Sequence, residues 1–549
     1  VNAVGRTAAS ALVQGLVELG VELVFGVSGG GIAGVWSAVG QHAGLQLVHM
    51  QHESGAAFAA AEASIASGRP TAVLVTTGPG LTNALTGLVA ARQEGASVIV
   101  LSGITPASRR GQGATQETDA SGPVADLLRA GPVFHVAQVL ESAEQVETAL
   151  RRLAIALARP GGCVAHLGVP TDVGLAMAPH GRRVAAVRQA PRAFDPGLLD
   201  GLAAALLTGR VVVLAGRGAR GAALGELADR CGVGVLTTPD AKGAIAEDHG
   251  GCLGVLGIGG QADAHAALAA RFDLLLVLGA RLGEAECGWV DALRPRERAV
   301  FVGEGDDLHV GSYADMPLMV AEGSPAALVE ALLGRLGPLR PPPPRARPPA
   351  LVLRPGPVRP AALMQAVQAV AVDDSDAVVL AESGASFVWA IHMLRMPAPR
   401  LRVSVGWGAM GHATTGAIGV AATGRRAVAI VGDGAMLMGN ELATAVRRGL
   451  RVTWVVLNDG GYGMCRHGMR ALGLRGSELD QPPVDFAAMA RAAGLVGLTV
   501  REERDLEGTL RAALEVDGPA LLDVYIDPDE APPMGRRIQA LTFHAAVVP

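Results

Sequence analysis

Lysine is almost missing: Lys242 is the only one among 46 lysines and arginines. Gly243 follows it, so the chain has no Gly-Lys-Ser/Thr phosphate loop, and Schiff-base chemistry would have to rest on that one amine. Cysteine is equally thin. Cys163, Cys231, Cys252, Cys287 and Cys465 stand apart with no C-x-x-C pair, which signals neither a zinc site nor a disulfide framework. Reduced thiols in a cytoplasmic protein fit that usage. No apolar stretch reaches the roughly 18–20 residues needed to span a bilayer. Residues 1–20 read as an amphipathic helix rather than a signal peptide, so no membrane partner is expected. A net charge of −5 without a basic stripe argues against nucleic acid.

What is present is apolar and glycine-rich. Half of the 549 residues are hydrophobic, enough for several cores and roughly three or four domains. The most informative stretch is 427–464. Residues 427–431 form an apolar β-like run ended by Gly432-Asp433-Gly434, residues 438–449 have helical spacing, and residues 452–457 form a second run ended by Asn458-Asp459-Gly460-Gly461. In a right-handed βαβ unit both strands end on one edge of the sheet, which brings Asp433 and Asp459 to one crevice. Two carboxylates, free glycine backbone groups and a helix N-terminus suit a diphosphate held through Mg²⁺.

The rest of the chain alternates strand-like and helix-like runs, as parallel α/β domains do. Strands are predicted at 21–26, 46–50, 71–76 and 97–102, with a helix of small residues at 55–67. Glu53 is placed at a strand end just ahead of that helix, and His52 is expected to be structural. Further on, strands are predicted at 210–215, 234–238, 377–381 and 520–526, and a helix at 483–493. Residues 337–360 are a Pro/Arg-rich linker, extended and semi-rigid. Residues 216–221 fit G-x-G-x-x-G after a strand, but the next strand ends in threonines instead of a ribose-binding acid, so no NAD site is expected.

The 427–464 stretch resembles the signature of the thiamine diphosphate (ThDP) enzymes, a GDG turn followed at this spacing by an Asn pair whose second member is Asp459 here. QHESGAAFAA around Glu53, VTTGPGLTNALTG and GATQETD follow the order of the acetolactate synthase branch (acetohydroxyacid synthase large-subunit type), and the resemblance runs over about residues 5–530. It implies three consecutive parallel-sheet α/β domains: a pyrimidine-binding domain at 1–178, a central Rossmann-like domain at 190–336 and, after the linker, a diphosphate-binding domain at 361–549.

It also implies roles. Glu53 would hydrogen-bond N1′ of the aminopyrimidine, so that the cofactor's 4′-nitrogen can take the C2 proton, and Gln116 would lie beside the substrate. Gly29 and Asn83 from the first domain would contact the cofactor. So would Ser383, Gly384, Ala385, Ser386, Gly408, Gly432, Gly434, Ala435, Tyr462, Gly463 and Met464 from the third. Met410, in the loop 406–411, would prop it in its bent form. Asp433, Asp459 and the carbonyl of Gly461 would hold Mg²⁺, the extra anion at 459 tightening the metal while repelling diphosphate. FAD belongs to the middle domain of this branch. Residues 254–260 and 278–281 resemble that site, but 302–305 and the residues after Arg281 depart from it, so a domain kept for packing is expected instead.

In this family the two halves come from different subunits, which implies an obligate homodimer or homotetramer. The activity implied is decarboxylation of a 2-oxo acid, pyruvate being the expected donor, and transfer of its acyl unit to a carbonyl acceptor. A non-ligating 2-oxo acid decarboxylase, a flavin-linked oxidase and an inactive homologue are the alternatives. Thr115 and Gly468 stand where larger rings are usual, which points to an acceptor bulkier or more polar than pyruvate. The tail 532–549 is a candidate lid.

Overall fold

The computed structural model describes residues 6–534 other than 180–182, 186, 191, 209, 290, 309–316, 339 and 440. Its first sheet consists of β1 (Leu23–Gly26), β2 (Gln46–His49), β3 (Thr71–Val75), β4 (Ser97–Ile104), β5 (Val136–Val139) and β6 (Cys163–Pro170), in the order β2-β1-β3-β4-β6-β5. The second holds β7 (Val211–Ala215), β8 (Gly234–Thr237), β9 (Cys252–Val255), β10 (Leu274–Leu278), β11 (Arg298–Gly303) and β12 (Leu318–Glu322), ordered β12-β11-β10-β7-β8-β9. The third holds β13 (Val378–Ala381), β14 (Leu401–Val403), β15 (Ala427–Gly432), β16 (Val452–Asn458), β17 (Val496–Val500) and β18 (Ala520–Tyr525), ordered β14-β13-β15-β16-β18-β17.

Every pairing within these sheets is parallel. The third sheet repeats the strand order of the first. The middle one has the doubly wound dinucleotide-fold order, read from its β9 edge. Helices cover both faces, so strands such as β3, β10 and β16 are buried along their whole length and read as unbroken apolar runs.

Three expectations need correction. The helix after β2 begins at Glu53 itself, because His52 caps it: the His52 ring accepts from Ser54 N, and Glu53 becomes the first helical residue rather than the end of a strand. The helix predicted at 438–449 is two helices, Asp433–Met438 and Leu442–Arg448. The break follows Gly439, which packs so closely on the His412–Ala422 helix that a Cβ there would lie 3.1 Å from Thr415 Cγ2. The helix predicted at 483–493 starts only at Phe486, since the Asp485 carboxylate caps it by accepting from Ala488 N. Predicted strand ends otherwise shift by one or two residues, β4 running on to Ile104. The tail proposed as a lid lies outside the described residues from 535 onward.

The first and third domains share one core, built where the Glu53–Ser67 helix lies on the His412–Ala422 helix. Small residues permit that approach: a Cβ on Gly419 would sit 1.9 Å from the Ala59 carbonyl oxygen. Inside the contact, Glu62 accepts from Arg402 at 2.8 and 3.0 Å and pairs with His412 Nε2 at 2.7 Å. Burial alone would raise the pKa of Glu62, but Arg402 and His412 override it and hold the group well below the usual carboxylate range.

Residues 340–354 carry no helix or strand and run across the surface, tied down by Arg345 to Asp263 and Arg347 to Asp373. Among the described residues no helix is long and apolar enough to cross a membrane. Gly419→Val should force the two central helices apart and cost about 1–3 kcal/mol, seen as a lower thermal midpoint. An unchanged midpoint would mean that the contact does not carry the shared core.

Candidate active site

Neighbouring strands β13, β15 and β16 end side by side, and each ends in a turn that leads into a helix. After β15 the chain turns at Gly432 into the helix that opens with Asp433. The Asp433 carboxylate is buried and accepts from Gly434 N at 2.7 Å and from Gly461 N at 2.9 Å, so it joins its own helix start to the turn after β16. Burial raises its pKa, and the amides of Gly434, Gly461 and Gly460 work against that. Asp459 lies in the same turn. Burial first, and then the facing Asp433 charge, push its pKa up to about 6 against the pull of Arg466. Gly463 leaves room for the Asp459 carboxylate: a Cβ there would meet Asp459 Oδ2 at 2.1 Å.

These ends open on a cavity of about 450 Å³. Every third-domain residue expected to hold the cofactor lines it, from Ser383 to Ser386, through Gly408 and Met410, to Gly432–Ala435, Asp459 and 461–464. Met410 is half-buried at the cavity wall rather than packed in the core. Ser383 and Ser404 line the cavity, and their hydroxyls are buried with no hydrogen-bond partner among the described residues. Gly384, at φ +139°, turns the chain into the Ala385–Met393 helix, whose first amides have no carbonyl of their own helix to bond. Orphaned hydroxyls, free helix amides and two carboxylates together fit an anionic group bridged by a divalent cation. Among the described residues no three His, Cys, Asp or Glu side chains cluster as a metal cage.

The expected first-domain residues gather at the corresponding edge of the first sheet and do not line this cavity. Asn83 Nδ2 donates to Glu53 Oε2 at 3.1 Å. Thr77 Oγ1 donates to Gln116 Oε1 at 3.0 Å, and Gln116 is exposed with φ +56°, a conformation L-residues rarely adopt outside functional sites. Gly29 packs on Thr76, where a Cβ would fall 2.6 Å from its Oγ1. The turn before Glu53 is fastened to the third domain of the same chain, where Glu441 accepts from Gln51 N at 3.0 Å and His52 N at 3.2 Å. Burial raises the Glu441 pKa, and Thr444 and those amides oppose it.

Sequence reasoning missed Glu441, Ser404 and the middle-domain wall of the cavity, where Gly257, Ile258, Glu284 and Ala285 face the third domain. Ser404 had a signal, since it follows edge strand β14 beside β13. Glu441 had none, because its partners lie at the other end of the chain.

At the middle sheet, the glycine turn after β7 is filled by the protein itself. Gly218 N donates to Gly279 O at 3.0 Å, and a Cβ on Gly279 would lie 2.5 Å from Gly218 Cα. Arg217 pairs with Asp307, Arg220 with the Asp240 carbonyl, and Arg281 with Gln93. A turn closed in this way offers no cradle for a dinucleotide pyrophosphate, so the residues do not fit a flavin at that position.

Comparison with known proteins matches this architecture. The chain matches the N-terminal TPP binding domain of thiamine pyrophosphate enzymes over residues 6–122, their central domain over 202–330 and their C-terminal TPP binding domain over 382–524. It is 30% identical to the acetolactate synthase large subunit IlvB1 of Mycobacterium tuberculosis, over 95% of this chain and 88% of that protein. It is 28% identical to the acetolactate synthase isozyme 1 large subunit of Escherichia coli, over 95% and 94%. Among solved structures, the thiamine diphosphate-dependent 4-hydroxybenzoylformate decarboxylase of Rhodococcus jostii shares the fold with a TM-score of 0.82 at 22% identity, over 96% of this chain and all of that one. The chain belongs to the thiamine pyrophosphate enzymes, in their acetolactate synthase-like branch, and is a ThDP-dependent enzyme that forms or cleaves C–C bonds.

Gly463→Ala should displace the Asp459 carboxylate and weaken ThDP binding, measured calorimetrically in the presence of Mg²⁺, by at least about tenfold while leaving the fold intact. Unchanged affinity would remove Asp459 from the site.

Proposed function

We propose that this protein is a ThDP- and Mg²⁺-dependent decarboxylating carboligase acting on a 2-oxo acid, with pyruvate as donor and a second carbonyl compound as acceptor. The observation that carries this reading is the cavity at the third sheet, where Asp433 ties two strand ends together beneath orphaned serine hydroxyls and free helix amides. Asp433, Asp459 and the Gly461 carbonyl would hold Mg²⁺, and the Ser383–Ser386 turn would hold the diphosphate. Bound ThDP supplies the electron sink that lets a 2-oxo acid lose CO₂ and its acyl carbon add to a carbonyl. Met410 would orient the cofactor rings from the cavity wall. Glu53 would hold a proton at N1′ of the aminopyrimidine, with Asn83 fixing its carboxylate.

Because Glu53 does not line its own chain's cavity, the reading requires a second copy to bring it there, in a homodimer or a homotetramer. Apolar surface around the cavity supports this: Trp407 is 51% exposed, Met438 60% and Tyr462 40%. Gln116, held on Thr77, would then face the substrate from the partner copy. A Cβ on Gly468 would meet nothing within 4 Å, and Thr115 is exposed, which favours an acceptor larger or more polar than pyruvate. The closed turn after β7 supports a packing role for the middle domain rather than flavin binding.

A screen of 2-oxo acids with ThDP and Mg²⁺, scored for CO₂ release and for coupled products by mass, tests the reaction. Acceptor-dependent C–C products support it; an aldehyde formed at the same rate without acceptor would make the protein a simple decarboxylase. Glu53→Gln should keep ThDP binding and lower turnover by about 10²–10⁴-fold. Turnover at the wild-type level would contradict the proton role of Glu53.

A further inference from the structure

The cavity meant for an anionic group is lined by three acids, Asp433, Asp459 and Glu284, and by no lysine or arginine. A charge of the opposite sign lies just behind its wall. Arg466, on the Gly463–Ala471 helix, places Nη1 3.8 Å from Asp459 Oδ2 and Nη2 3.3 Å from Asp480 Oδ1. Its two partners are not equivalent. The Asp480 side chain is 89% exposed and that of Asp459 only 11%, so water screens the first pair far more than the second. The guanidinium also runs against the metal-side turn itself: a Cβ on Gly461 would lie 2.5 Å from Arg466 Nη2. Among the described residues Arg466 Nε, which is buried, has no hydrogen-bond partner, so within the protein the guanidinium is placed by its two carboxylate pairs.

We propose that Arg466 is a positioning residue that offsets the charge of Asp459, allowing this site to keep two carboxylates for a cation and still accept a diphosphate. Where the family pattern has a neutral amide, this chain carries an acid, and Arg466 restores the charge balance from outside the cavity. Its reach past Gly461 sets the guanidinium against the turn that carries Asp459. The proposal rests on the ThDP and Mg²⁺ reading above.

The test is calorimetric titration of ThDP into the full-length protein at saturating MgCl₂, with no turnover involved. Four proteins are compared: wild type, Arg466→Met, Asp459→Asn and the double variant. Arg466→Met should weaken ThDP by at least about tenfold in the wild-type background, yet by less than about threefold when Asp459→Asn has already removed the charge to be offset. Arg466→Lys should recover most of the affinity, since a cation at that place is what the role demands. Equal losses in both backgrounds, or no loss at all, would overturn the proposal. Should Arg466→Met fail to fold, Arg466→Gln is compared in both backgrounds by the same criterion. Wild-type protein that binds no ThDP would overturn the cofactor site as a whole, whereas wild-type binding with equal losses overturns only the part given to Arg466.

Discussion

The carboxylate of Asp433 spans two turns, taking the amide of Gly434 on one oxygen and the amide of Gly461 on the other. That bridge is what makes the ends of β15 and β16 one surface. Parallel strands alone set the two turns side by side, but nothing in a sheet's register dictates how the loops beyond it fold. With Gly461 N held by Asp433, Gly461 and Asp459 line the same cavity wall. Gly434 and Gly463 keep side chains out of the way: a Cβ at Gly434 would run into the Tyr462 ring at 2.8 Å, and one at Gly463 into Asp459 at 2.1 Å. The chemistry assigned to the site depends on this one joint between loops.

A second constraint sets the other half. The Glu53–Ser67 helix starts within reach of Asn83 and packs through its middle, at Ala59 and Glu62, against the third domain. Glu441 takes the amides just ahead of Glu53, while Glu62, further along the helix, is locked by Arg402 and His412. The proposed catalytic acid is therefore held by its neighbours on the first sheet and, through its own helix, by the third. Breaking either buried carboxylate network would leave charges unpaired in the interior, which costs far more than the pair contributes over an apolar substitute. We take this rigidity to be why the acid stays oriented although the cavity it serves in our account belongs to another copy.

Much of this was legible in the sequence, for identifiable reasons. Apolar runs that end in glycine turns marked the strand ends, and the spacing from Gly432 to Gly461 placed both acids on one edge. The first and third domains share one strand order, a repetition that follows from the same alternation of apolar runs and glycine turns in both. Legibility failed where tertiary contacts overrode local pattern. Residues 438–449 have the period of one helix, but Gly439 packing on Thr415 and Glu441 bonding to Gln51 and His52 break it into two. Glu53 moved from strand end to helix start because a histidine, not an acid or hydroxyl, supplied the cap. The middle-domain wall at 284–285 carried no local signal, since its role follows from which face of that domain meets the third.

The account turns on a division of labour: one chain holds the diphosphate and a different copy supplies the acid. Mixing subunits tests it most directly. Glu53→Gln and Asp433→Asn proteins, each inactive alone, are unfolded together, refolded and assayed for CO₂ release from a 2-oxo acid. If the halves come from different copies, mixed dimers contain one intact site, and activity should return to at most about a quarter of wild type. Mixed protein as inactive as either parent, despite demonstrated exchange of subunits, would contradict the account.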